Sequence, residues 1–119
     1  MKINGIDRNK SSNESGIAKR YFTLSGNVSP TWNALFYEYF ENYHSTNKRA
    51  VHLEKNAIVV ACGLDEIQTQ LDLLQAACAE IDKRYQRHIE QEQAQRVAYE
   101  DAEKEKRKAA DEAYKNLKF

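Results

Sequence analysis

The chain has 119 residues, 41% of them hydrophobic and 30% charged, with a formal net charge of zero. That length suits one core of ordinary size with an extension and excludes two large independent domains. Lys and Arg outnumber Asp and Glu by eight to five over residues 1–62 and fall short by ten to thirteen over residues 63–119. So small an imbalance argues against a dedicated nucleic-acid surface or an anionic-membrane surface.

The first residues, Met1 to Asp7, are too polar for the apolar region of a secretory signal, and no run of 18 apolar residues occurs. Cys62 and Cys78 are too few for a disulfide framework. A cytoplasmic protein with two reduced, structural thiols is expected.

Residues 1–18 are rich in Asn, Ser, Gly, Lys and Arg and offer too few apolar groups to offset the cost of ordering them, which predicts a flexible polar arm. From Arg20 to Ser25 the chain alternates, Phe22 and Leu24 on one face and Tyr21 and Thr23 on the other, which predicts a half-buried strand. Ser29-Pro30 is a helix start: the hydroxyl can accept from a free amide of the first turn, and proline there has no amide to leave unpaired. In the helix that follows, Trp32, Leu35, Phe36, Tyr39, Phe40 and Tyr43 form one aromatic stripe at i, i+3, i+4 spacing, and Tyr37 lies off it.

Ala50–Leu53 and Ala57–Cys62 read as two strands of a hairpin. With Lys55 and Asn56 as the turn, Leu53 faces Ile58 and Val51 faces Val60, so four apolar side chains share one face. Gly63 to Glu66 then opens a helix with carboxylates in its first turn, where the helix dipole favours them. No proline follows, and helix propensity stays high to the end of the sequence. Leu64, Leu71, Cys78 and Tyr85, with Ile67, Leu74, Ile81 and His88, give an a/d seam of about three heptads. Beyond it the seam positions are Glu92, Gln95, Tyr99, Ala102, Lys106, Ala109, Ala113 and Asn116. Ion pairs are expected there at i to i+4 spacing, as for Glu100 with Lys104 and Glu103 with Arg107.

The predicted fold class is α+β. A small three-stranded antiparallel sheet in β-α-β-β-α order, a ferredoxin-like arrangement lacking its fourth strand, carries a long charged C-terminal helix. The predicted organisation is a flexible arm over residues 1–18, a head over 19–89 and a helical extension over 90–119. The strand holding Tyr21 and Thr23 would then be a bare sheet edge, because Gly5 makes residues 2–6 a poor strand.

No catalytic, cofactor or metal motif stands out. His44, His52 and His88 lack the i, i+4 spacing of a shared metal, the four glycines stand singly, and the two cysteines have no CxxC companions. The sequence therefore favours a non-enzymatic protein–protein interaction module, an adaptor, assembly or inhibitor protein without cofactor or metal. It would bind a protein partner and form a homodimer, either through the Tyr21/Thr23 edge or through Leu71, Leu74, Cys78, Ile81 and Tyr85 on the helix seam. A nucleic-acid-associated protein, using Lys2, Arg8, Lys10, Lys19, Arg20 and the basic residues between 104 and 108, is the second expectation. A small enzyme of unnamed reaction is the third, and no membrane association is expected.

Overall fold

The computed structural model describes residues 1–118. The elements in chain order are β1 (Ile3–Ile6), β2 (Ala18–Leu24), α1 (Pro30–Glu41), β3 (Val51–Glu54), β4 (Ala57–Cys62), a 3₁₀ turn (Leu64–Glu66) and α2 (Ile67–Lys115). The strands form one antiparallel sheet in the order β1-β2-β4-β3. The fold is therefore α+β with a long helix, and the sheet has four strands where the sequence predicts three.

The additional strand is β1, inside the segment expected to be a flexible arm. Ile3 and Ile6 stand three residues apart, a spacing that puts two side chains on opposite faces of a regular strand. A register irregularity between Ile3 and Gly5 breaks the alternation. Ile3 is buried in the core and Ile6 packs against it. An inserted residue of this kind is what a bulge provides, and it hides the strand from any search for period-two patterning.

The β3–β4 hairpin has the expected register, Leu53 opposite Ile58 and Val51 opposite Val60. Its turn places Lys55 at φ 56°, a left-handed conformation that a lysine adopts at some cost. Asn56 ties the turn down, its Oδ1 accepting from Val28 N–H at 3.2 Å and its Nδ2 donating to Asn27 at 3.0 Å. Ser29 caps α1 as predicted, its hydroxyl accepting from Trp32 N–H at 3.1 Å with Pro30 as the first helical residue.

One face of the sheet meets both helices. Phe22, Ile58, Val60, Trp32, Phe36 and Leu74 belong to a single buried cluster that also takes in Cys78 and Ile81. Arg20 lies on the inward face of β2 with Phe22 and Leu24 and is fully buried. Its Nε donates to Cys62 C=O at 3.2 Å, Nη1 to Ser12 C=O, and Nη2 to the carbonyls of Glu14 and Gly16 at 2.6 and 3.0 Å. The guanidinium thus spends its fixed fork of donors on four backbone carbonyls. Three of these lie in the segment between β1 and β2, which the interaction curls over the sheet end.

The chain divides into two compact units, Met1–Tyr85 and a second beginning at Gln86. Every buried residue lies in the first, between Ile3 and Ile81. In the second, each residue from Glu90 to Lys118 except Ala110 is exposed. Among the described residues none of the expected i to i+4 ion pairs of this stretch lies within 4.0 Å, and Lys106 instead approaches Glu103 at 3.8 Å. Such exposed pairs contribute at most about 1 kcal/mol.

Replacing Arg20 by Met keeps the apolar stem but strips the carbonyls of Ser12, Glu14, Gly16 and Cys62 of their donor. At about 1–3 kcal/mol for each buried acceptor left without a partner, urea denaturation is expected to show a loss above about 3 kcal/mol. A loss within 1 kcal/mol would mean that the carbonyls find water instead.

Candidate functional site

The strand expected to be a bare edge is interior: β2 pairs with β1 on one side and β4 on the other. Tyr21 and Thr23 therefore cannot recruit another strand through their backbone: Tyr21 donates its amide to Ser11 Oγ at 2.9 Å and accepts from Asp7 N–H at 2.8 Å, and Thr23 lies opposite Gly5. Their side chains stay on the sheet face away from the helices. There Tyr21, Val59 and His52 form one row across β2, β4 and β3. Burial, and secondarily the nearby Glu54 carboxylate, raises the Tyr21 phenol above its ordinary value.

The true edges are β1 and β3, and each is capped by a helix side chain. Gln75 on α2 turns its amide to β1, where Oε1 accepts from Ile3 N–H at 3.2 Å and Nε2 donates to Ile3 C=O at 2.9 Å. The side-chain amide takes the place of the peptide of a neighbouring strand. On the opposite edge, the Tyr37 hydroxyl of α1 accepts from Leu53 N–H at 2.9 Å. Together with the irregular register of β1, these contacts blunt the pairing template that a free edge presents.

The seam residues of α2 are likewise turned inward. Leu74, Cys78 and Ile81 are at most 1% exposed, and Leu71 and Tyr85 pack against the same cluster. The seam expected to bind a partner is the cover of this sheet. Its apparent excess width is used by Ile3, Ile6 and Trp32, which belong to or pack against the cluster that it covers. Arg20, expected in a basic arm, is a core residue and has no surface to offer phosphate.

What remains is polar wiring. Glu66 accepts from Arg49 Nε at 3.0 Å and Nη2 at 2.6 Å, and from Gly63 N–H at 3.0 Å. The Arg49 hydrogen bond first, and the Gly63 amide second, hold its carboxyl below the ordinary glutamate value. Asp82 accepts from Trp32 Nε1 at 2.9 Å and from the Met1 ammonium at 2.5 Å, joining β1, α1 and α2 around one carboxylate. Burial pushes the Cys78 thiol up to about 11, Asp82 adding to the rise and the Met1 ammonium opposing it. Both cysteines are free and buried, and a thiol so placed is a small hydrophobe rather than a nucleophile.

Among the described residues no three His, Cys, Asp or Glu side chains converge as a metal site would need. No helix among them is long and apolar enough to cross a membrane. A groove of about 360 Å³ runs between β1 and the start of α2, lined by Ile3, Ile6, Phe22, Ile67 and Leu71, with Gln75 at its rim. No model of a known protein family, no curated protein and no solved structure matches the chain.

Among the described residues the large hydrophobic side chains that stay exposed are Ile17, Tyr37, Leu64, Val97, Tyr99, Tyr114 and Leu117. Four of these seven follow Gln86, with Val97, Tyr99 and Tyr114 on the helix and Leu117 just past its end at Lys115. The seam offered by the sequence as a contact surface lies in or against the core, since large aliphatic side chains mark a core as readily as an interface.

Two measurements check these assignments. Gln75→Ala and Tyr37→Phe each remove an edge cap, at a cost of about 1 kcal/mol, and the double variant is expected to aggregate faster by light scattering than the wild type brought to the same stability with urea. Unchanged aggregation would show that the edges are protected by other means. The Glu66 carboxyl is depressed in the folded state, so its stabilisation is fully present above its ordinary value of 4.5 and is lost as pH falls through the depressed one. Glu66→Gln should flatten the acid limb of the stability curve below that value, and an unaltered limb would remove Glu66 from the account.

Proposed function

We propose that the chain is a non-enzymatic protein–protein interaction module, an adaptor or assembly protein, whose contact surface is the helix from Gln86 onward. The observation that carries the reading is the exposure of this helix at every position from Glu90 onward except Ala110, with Val97, Tyr99 and Tyr114 at 56%, 68% and 67%. Helices in proteins owe most of their stability to packing of one face, and a partner supplies that packing here. The capping of Ile3 on one sheet edge and of the Leu53 amide on the other supports the same surface, since it hinders strand addition.

We read the sheet as a ferredoxin-like arrangement whose edge strand, β1, comes from the N-terminal end of the sequence instead of following the last helix. The first unit then serves as a rigid head and the second as the binding element. Two free, buried thiols support a reducing compartment such as the cytoplasm.

The test is photo-crosslinking in cells, with benzoylphenylalanine at Tyr99 or Tyr114 and, for comparison, at Lys19 or Thr23 on the sheet face away from the helices. Protein adducts from the two helix positions are expected. Adducts confined to the sheet positions, or adducts to nucleic acid alone, would overturn the reading.

A further inference from the structure

The stretch from Gln86 to Lys118, helical as far as Lys115, carries its charges unevenly. Over residues 86–103 two cationic side chains, Arg87 and Arg96, stand against five anionic ones, a net of −3. Over residues 104–118 six cationic side chains stand against three anionic ones, a net of +3. The sign changes near residue 104: the acidic run Glu100, Asp101, Glu103 gives way to Lys104, Lys106, Arg107 and Lys108, with Glu105 the one anionic residue among them.

We infer that this helix pairs antiparallel with the same helix of a second copy of the chain. The inference rests on the interaction-module reading and names its partner. A parallel pair would lay the acidic run on the acidic run and the basic run on the basic run, whereas an antiparallel pair lays each on its complement.

The seam fixes the register. Tyr99, Ala102, Lys106 and Ala109 fall at a/d spacing, and crossing the two helices at residue 104 sets Tyr99 against the partner's Ala109 and Ala102 against the partner's Lys106. The largest seam side chain thus meets one of the smallest, twice by symmetry. Lys106, the one charged residue among these four, has its intrachain approach to Glu103 at 3.8 Å and is 80% exposed. In the pair it lies beside the partner's acidic run. A lone lysine on a seam lowers affinity and selects register. All of these side chains are exposed in the single chain, so none has to leave a core to form the pair.

The experiment uses the full chain with a spin label on an introduced cysteine, Lys104→Cys or Lys115→Cys. The native Cys62 and Cys78 are buried, and circular dichroism confirms that each variant remains helical. Sedimentation should show a dimer that weakens as salt rises. Pulsed electron paramagnetic resonance should give a short label separation at Lys104 and an axial separation of about 33 Å at Lys115, for 1.5 Å of rise per residue. The triple variant Lys106→Glu, Arg107→Glu, Lys108→Glu should lose at least tenfold in dimer affinity. Short separations at both positions would mean parallel pairing and overturn the proposal, as would a monomer mass throughout the micromolar range. In the monomer case, protein adducts at Tyr99 in the photo-crosslinking experiment leave the interaction-module reading standing with a different partner, and their absence removes both.

Discussion

A fully buried guanidinium without a carboxylate beside it holds this fold in its particular form. Arg20 occupies an inward position of β2 where a hydrophobic side chain would ordinarily stand, and burying its charge is tolerable only if its donors are satisfied. The chain satisfies them by turning the carbonyls of Ser12, Glu14, Gly16 and Cys62 towards it. Three of these belong to a segment with almost no apolar residues, which is otherwise held by backbone and hydroxyl hydrogen bonds such as Ser12 N–H to Lys19 C=O at 3.1 Å and Tyr21 N–H to Ser11 Oγ at 2.9 Å. Once that segment is anchored, the residues before it are delivered alongside β2, and β1 forms.

The consequence runs from one residue to the character of the surface. With β1 in place, β2 becomes an interior strand. The sheet then ends at β1 and β3, where Gln75 and Tyr37 occupy outward-facing backbone groups. Asp82 binds the Met1 ammonium and the Trp32 indole together, so the strand that closes the sheet is also tied to the helices that cover it. A head capped in this way is poorly suited to strand exchange, and in the proposed reading association falls to the helix from Gln86, with Tyr99 and the reversal of charge near residue 104 giving direction and register.

Much of this was legible in the sequence, and the exceptions have physical causes. The Ser29-Pro30 start, the aromatic stripe of α1 and the hairpin register could be read because each depends on local spacing. β1 could not, because a bulge places Ile3 and Ile6 on one side in spite of their spacing and Gly5 weakens the strand signal further. The parity of Arg20 with Phe22 and Leu24 did mark it as inward-facing, but a lone arginine in a polar context looks like a surface residue until its carbonyl partners are known. Tyr37 was conspicuous for falling off the stripe, and that displacement brings its hydroxyl to β3. Gln75 gave no signal: a glutamine on a charged helix is ordinary until the edge it faces is seen. The seam of Leu74, Cys78 and Ile81 was read correctly as apolar and wrongly as free, since the pattern of a helix face does not say whether sheet or partner will cover it. Phe119, the last residue of the predicted extension, lies outside the described residues.

The central claim is that the head is closed and that association proceeds through the helix from Gln86. It is tested most directly by following the backbone amide resonances of the isotopically labelled full chain from micromolar to millimolar concentration. Shifts and broadening confined to residues between Gln86 and Lys118, with Ile3, Gly5, Val51 and Leu53 unmoved, are the predicted result. Concentration-dependent changes at those four strand amides, with the helix silent, would contradict the account by showing that the sheet edges are open after all.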